Sequence, residues 1–276
     1  MRYYPSALLL LCLACASACS SYPPGTICSK NVVVTGYWPP TNEMVRQFSI
    51  NPQRNPSGWL GRNWRGLGFD VYAFFPEFPP DGDPTNDAIG DPGSVGAPAA
   101  DFRVDYRDTS SDFWRIMDTY RPIVLITTSR GGDIAWELEA VEGGHGQVDQ
   151  SPEQDWISDR EGDEYPSRST IDVRSWEAIS AYRAGKQLSS QLPLEEIQQS
   201  VRTIIDSKID HTGTSGNYLS GFMGLHGLYY NATHAHNQMA GHIHVGKSVS
   251  NAKATRAFEA TLGLVLSRVT PTDCTQ

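Results

Sequence analysis

The chain has 276 residues, 39% hydrophobic and 19% charged, with a net charge of −9. That balance belongs to a globular protein and excludes an intrinsically disordered one. The acidic charge and the lack of a basic stripe argue against nucleic-acid binding, which needs clustered Lys and Arg to neutralise phosphate. The sequence shows no internal repeat.

The N-terminal stretch MRYYPSALLLLCLACASAC reads as a secretory signal peptide over residues 1–19. One arginine precedes an apolar run too short to span a bilayer, and the run ends in small residues. Ala16 and Ala18 suit an ordinary signal peptidase. Cys19, directly after them, suits lipoprotein processing with a lipid on its sulfur, the only route by which this chain would meet a membrane. The expected destination is the periplasm or cell envelope. Cys12 and Cys15 leave with the leader. With Cys19 lipidated, Cys28 and Cys274 remain, and an oxidising compartment allows them to pair. The plainer alternative is two unpaired thiols near frayed ends.

Residues 20–30 form a polar tether, and residues 31–276 one domain. NVVVT, Asn31–Thr35, is a β-branched run of buried-strand type. FDVYAFF, Phe69–Phe75, is a second strand. The segment from Pro79 to Pro98 is rich in turn residues and reads as a solvated excursion. FRVDY, Phe102–Tyr106, alternates as an edge strand would. A helix follows, with Thr109 and Asp112 as a capping box and Phe113, Ile116, Met117 and Tyr120 as its apolar stripe. PIVLITT, Pro122–Thr128, is another buried strand, and Arg130-Gly131-Gly132 reads as a turn. Glu142 to Ser169 is polar and reads as loop. Leu194–Ile205 is an amphipathic helix, Gly241–Val245 a short strand, and about Asn251–Arg268 the last helix. Strands alternating with helices predict an α/β fold: one three-layer domain, a mostly parallel central sheet with helices on both faces. In such sheets the functional crevice lies beyond the carboxyl ends of the strands.

TSGNYLSGFMGLHGLYY, Thr214–Tyr230, is a small-residue turn that becomes a helix. Gly221, Gly224 and Gly227 each cost a helix about 1 kcal/mol relative to alanine, which calls for close packing on the sheet. Ser220 sits at the turn–helix junction. There it would meet the positive end of the helix dipole and unpaired N–H groups. It is either a capping or packing residue or a nucleophile beside an oxyanion site. His242 and His244 alternate on a strand and so share a face. A histidine there could deprotonate Ser220. The carboxylate that orients such a histidine would come from Asp133, Glu137, Glu139 or Glu142. A second reading of HAHNQMAGHIH, which holds four histidines, is a Zn²⁺ or Cu²⁺ site. Its plain counterpart is an exposed loop in which His234 and His236 bind nothing.

Four segments together resemble the pyroglutamyl peptidase I family of cysteine peptidases. VVVTGYWPP is similar to that family's Thr-Gly-Phe-x-Pro-Phe turn. RPIVLITTSRGGDIAWE is similar to its central strand and catalytic-glutamate segment. TSGNYLSGF is similar to its nucleophile turn, Thr-Ala-Gly-Thr-Phe-x-Cys-Asn, and GHIHVG to Gly-Phe-Ile-His-Val-Pro, which holds the catalytic histidine. The four occur in the family's order and cover most of Asn31–Val269. The resemblance implies Ser220 as nucleophile, His244 as base and Glu137 as its orienting acid. It places Tyr37, Tyr218 and Leu219 around the substrate ring. It implies acyl transfer from a peptide or small amide, with no metal and no cofactor. The chain departs from the pattern at Pro40, Leu138 and Gly221, and above all in carrying serine at the cysteine position. A serine cannot be oxidised in an exported protein as a low-pKa thiolate can. The rival expectation is a catalytically silent envelope lipoprotein that binds a peptide or cell-wall fragment in the same cleft.

Overall fold

The computed structural model describes residues 30–52, 54–76, 106–143, 186–213 and 219–271. The leader, Cys19, Cys28 and Cys274, the Pro79–Pro98 segment, nearly all of Phe102–Tyr106 and Tyr218 lie outside the described residues.

The strands are β1 (Asn31–Thr35), β2 (Asp70–Phe74), β3 (Val124–Gly131), β4 (Trp136–Glu139), β5 (Val141–Gly143), β6 (Gln187–Ser189), β7 (Ser207–Asp210) and β8 (Met239–Gly246). The α-helices are α1 (Thr41–Val45), α2 (Tyr106–Tyr120), α3 (Leu194–Val201), α4 (Leu219–Thr233) and α5 (Asn251–Leu266). Six strands form one sheet in the order β2-β1-β3-β8-β4-β7. All neighbours are parallel except β4 and β8, which are antiparallel. β5 and β6 make a separate antiparallel pair. This is the three-layer α/β architecture expected from the sequence.

Alternation along the strands sorts side chains to two faces. Val32, Val34, Val124, Ile126, Trp136, Leu138, Ile243 and Val245 face α1, α3 and α5 in one apolar cluster. Val33, Leu125 and Ala240 face α2 and α4 in the other. On this second face β3 and β8 change character toward their carboxyl ends, and antiparallel β4 sets its glutamates beside them. Thr127, Ser129, His242, His244 and Glu139 are all buried there. Such a set of buried polar groups demands internal partners.

Besides α3, which ends at Val201 rather than at the expected Ile205, three boundaries differ from expectation. α2 begins at Tyr106, so Thr109 is a helix-interior residue and no capping box forms. Its hydroxyl instead meets the Tyr37 hydroxyl across the core. Arg130 and Gly131 extend β3 rather than turning, because β8 pairs with β3 as far as Gly131 and Gly246. Glu142 and Gly143 belong to β5 rather than to a loop.

The Gly131 position has a mechanical reason. A Cβ added there would lie 2.9 Å from His244 Cβ, whereas one added at Gly132 meets nothing within 4 Å. Both strands are fixed by their ladder, so neither can yield cheaply. Gly131→Ala is expected to destabilise the domain by about 1–3 kcal/mol, and Gly132→Ala by much less. Urea unfolding of the two variants checks this; equal losses would contradict the packing argument.

Among the described residues, no helix is long and apolar enough to cross a membrane.

Candidate active site at the carboxyl ends of the strands

β4 lies between β8 and β7. Glu137 stands opposite His244 on one side and Lys208 on the other; Glu139 stands opposite His242 and Asp210. The two glutamates therefore share a face, and their neighbours divide them. Lys208 draws Glu137, with Nζ 3.5 Å from Oε1. Asp210 accepts from the Thr212 backbone N–H and hydroxyl at 3.0 and 2.7 Å, and its charge pushes Glu139 the other way. Glu139 Oε1 lies 2.7 Å from His244 Nδ1. The carboxylate bonded to His244 is thus Glu139, where the sequence reading placed Glu137. Glu142, the third candidate, is buried beside Gly224 and His242. Asp133 is almost fully exposed and pairs with Lys247.

With Nδ1–H donating to Glu139, His244 keeps Nε2 as its free acceptor. Burial holds the Glu139 carboxyl above its ordinary range; the His244 bond opposes that, and the charges of Asp210 and Glu137 add to it. His244 itself is almost wholly buried, and its ring stands edge-on to that of His242, centroids 4.7 Å apart.

His242 is enclosed. Its Nδ1 lies 2.8 Å from Thr127 Oγ1 and its Nε2 3.0 Å from Ser129 Oγ. Thr127 passes its own proton to Gly241 O at 3.3 Å, so Nδ1–H donates to Thr127 and Ser129 donates to Nε2. Burial holds this ring well below the usual histidine range, and His244 lowers it further. With both nitrogens engaged, His242 is not a ligand for a four-histidine metal site. His236 Nε2 is 2.8 Å from the Tyr230 hydroxyl, and His234 Nδ1 is 3.0 Å from Tyr230 O. These two histidines close the end of α4.

α4 crosses the polar face close to the sheet. A Cβ on Gly227 would lie 3.3 Å from Thr127 Cγ2 and 3.6 Å from Leu125 Cδ2. One on Gly224 would lie 2.5 Å from Glu142 Oε1 and 3.0 Å from His242 Cγ. Gly224 and Gly227 thus serve the close packing that their cost suggested. Ser220 precedes Gly224 by four residues and Gly227 by seven, so all three lie on one stripe. Ser220 is half-buried in the first turn of α4.

On the far side of α4, His226 is fully buried among Phe113, Trp114 and Phe222. Its Nδ1–H donates to Phe222 O and Ser110 donates to Nε2, each at 2.8 Å. Burial lowers this ring to about 4. The unfolded chain takes up a proton near pH 6.5 while the folded chain does not. Stability is therefore full above pH 6.5 and is lost as pH falls from there toward 4. For the non-titrating variant His226→Gln, the melting temperature should fall less over that interval than for the parent. An identical fall would contradict the assignment.

Of the residues expected around a substrate ring, Tyr37 and Leu219, the residue that opens α4, are buried in the second apolar cluster. Tyr37 is wholly enclosed, with its hydroxyl on Thr109. The sequence reading passed over Thr127, Ser129, Lys208 and Asp210. Thr127 and Ser129 are signalled only by a strand that turns from aliphatic to hydroxyl side chains at one end. One ligand atom each from Glu137, Glu139 and His244 lie within 4.8 Å of one another, a grouping that also suits a cation.

No family model matches the chain, and no curated protein matches it. Solved structures do. A mutant pyrrolidone carboxyl peptidase from Pyrococcus furiosus superposes with a TM-score of 0.55 at 16% identity, covering 87% of this chain and 100% of that one. Pyroglutamyl peptidase I from Bacillus amyloliquefaciens gives 0.54 at 14% identity, covering 87% and 98%. The β-strands and helices that carry Ser220, His244 and the two glutamates are thus arranged in the fold of the pyroglutamyl peptidases.

Proposed function

We propose that the chain is an exported hydrolase that cleaves an N-terminal pyroglutamyl group, or a related amide or ester, by acyl transfer through Ser220. The observation that carries this reading is the 2.7 Å bond between His244 Nδ1 and Glu139, on the face along which the serine-led helix runs. His244 Nε2 takes the Ser220 proton as Oγ attacks the substrate carbonyl. The N–H groups at the start of α4 stabilise the oxyanion. Collapse of the tetrahedral intermediate breaks the C–N bond, and the amine leaves with the proton held on His244. Water, deprotonated by the same imidazole, then hydrolyses the serine ester. Glu139 holds the tautomer and stabilises the imidazolium.

Export fits the replacement of a thiol by a hydroxyl, and Cys19 is the proposed lipid anchor. Fractionation of cells carrying the parent and Cys19→Ser checks both: the parent should sediment with membranes and the variant should not.

The enclosure of Tyr37 favours a second reading, a silent envelope protein that binds peptide or cell-wall fragments. Chromogenic pyroglutamyl, acetyl-ester and plain aminoacyl substrates separate the two. Hydrolysis of the pyroglutamyl or ester compound supports the enzyme; none with any of them leaves the binding protein.

A further inference from the structure

We propose that Glu137, Glu139 and His244 form a site for a zinc-class divalent cation that competes with hydrolysis. The site itself stands on geometry, and only the competition rests on the reading above. Three ligand atoms, two carboxylate oxygens and one imidazole nitrogen, already lie within 4.8 Å of one another. The second, independent observation is Glu139 Oε2. It is buried and has no hydrogen-bond partner among the described residues, while the Glu139 side chain is fully enclosed. A buried carboxylate oxygen in that state calls for a positive partner.

The surroundings agree. Asp210 and Glu137 both crowd Glu139 with negative charge. Lys208, which pairs with Glu137 at 3.5 Å, is more than half exposed. So loose and solvated a pair is worth about 0–1 kcal/mol, and the lysine can swing into water. His242, the remaining neighbour, is held by Thr127 and Ser129. The ring proton moves to Nε2, and the ion takes the Nδ1 lone pair between His244 and Glu139, with Glu137 as third ligand. Three protein ligands of mixed nitrogen and oxygen with a vacant fourth position suit Zn²⁺. Ca²⁺ and Mg²⁺ prefer larger, all-oxygen shells. An imidazole ligated at Nδ1 carries its proton on Nε2 and so cannot accept the Ser220 proton.

The test is calorimetric titration of chelator-treated full chain with Zn²⁺ and, separately, Ca²⁺. One Zn²⁺ per chain is expected, with Ca²⁺ far weaker. Glu137→Gln should weaken Zn²⁺ by roughly tenfold or more, since even groups behind the ligands contribute that much. Ser220→Ala and His234→Ala should bind as the parent does. Circular dichroism confirms that Glu137→Gln is folded. No stoichiometric binding, equal affinity in Glu137→Gln, loss in His234→Ala, or equal Ca²⁺ affinity would each overturn the proposal. Zn²⁺ binding in a chain with no hydrolytic activity would uphold the site and remove the catalytic reading instead. Where activity is present, it should fall in proportion to Zn²⁺ occupancy.

Discussion

Ser220→Ala is expected to lower hydrolysis of the best substrate by roughly 10³-fold or more, because removing the nucleophile of a serine–histidine pair leaves only binding and oxyanion stabilisation. Substrate affinity should change little. The fold should tolerate the change, since Ser220 is half-buried at the start of α4 and alanine is the best helix former. Steady-state kinetics beside a thermal melt checks all three. Equal rates for the two proteins would remove Ser220 from the mechanism. A collapse of stability would return it to the role of a packing residue.

Glu139→Gln is the second large effect. A glutamine there can donate to Nδ1 and so stabilise the tautomer with its proton on Nε2. That ring cannot accept a proton from Ser220. Loss of the orienting carboxylate in this way is expected to reduce kcat by roughly 10³–10⁴-fold with a much smaller change in KM. Glu137→Gln removes only the partner of Lys208, an exposed lysine, and should cost about tenfold at most. The contrast between the two is the point of the experiment. A larger loss in Glu137→Gln would return the orienting role to the residue first expected from the sequence.

That reassignment shows where sequence reasoning stops. The strand periods of NVVVT, PIVLITT and GHIHV are plain, because both faces of a central strand are buried and demand apolar or internally paired side chains. The layer order followed from the alternation of strands and helices. Ser220 was legible as a helix-start residue, and His242 and His244 as a same-face pair. Choosing among Glu137, Glu139 and Glu142 was beyond the sequence. Glu137 and Glu139 lie on one face at a spacing of two, so periodicity cannot separate them. Their roles depend on what β7 sets beside them, a lysine against one and an aspartate against the other. β7 lies about seventy residues away, and nothing local announces it as a strand. The capping box at Thr109 failed for a related reason. A tertiary contact with Tyr37 claims the hydroxyl, and the helix starts earlier.

The same dependence on tertiary neighbours accounts for the two histidines. His242 and His244 are chemically alike and two residues apart. The hydroxyls of Thr127 and Ser129 close one ring, and the Glu139 carboxylate leaves the other with a free nitrogen. β3 and β4 make that distinction.

The central claim is covalent, so the most direct measurement is mass spectrometry of the chain quenched during turnover of an activated pyroglutamyl ester. A single acyl group carried on Ser220, and absent from Ser220→Ala, is the predicted result. Continued turnover with the acyl group on another side chain, or with none and no dependence on Ser220, would contradict it.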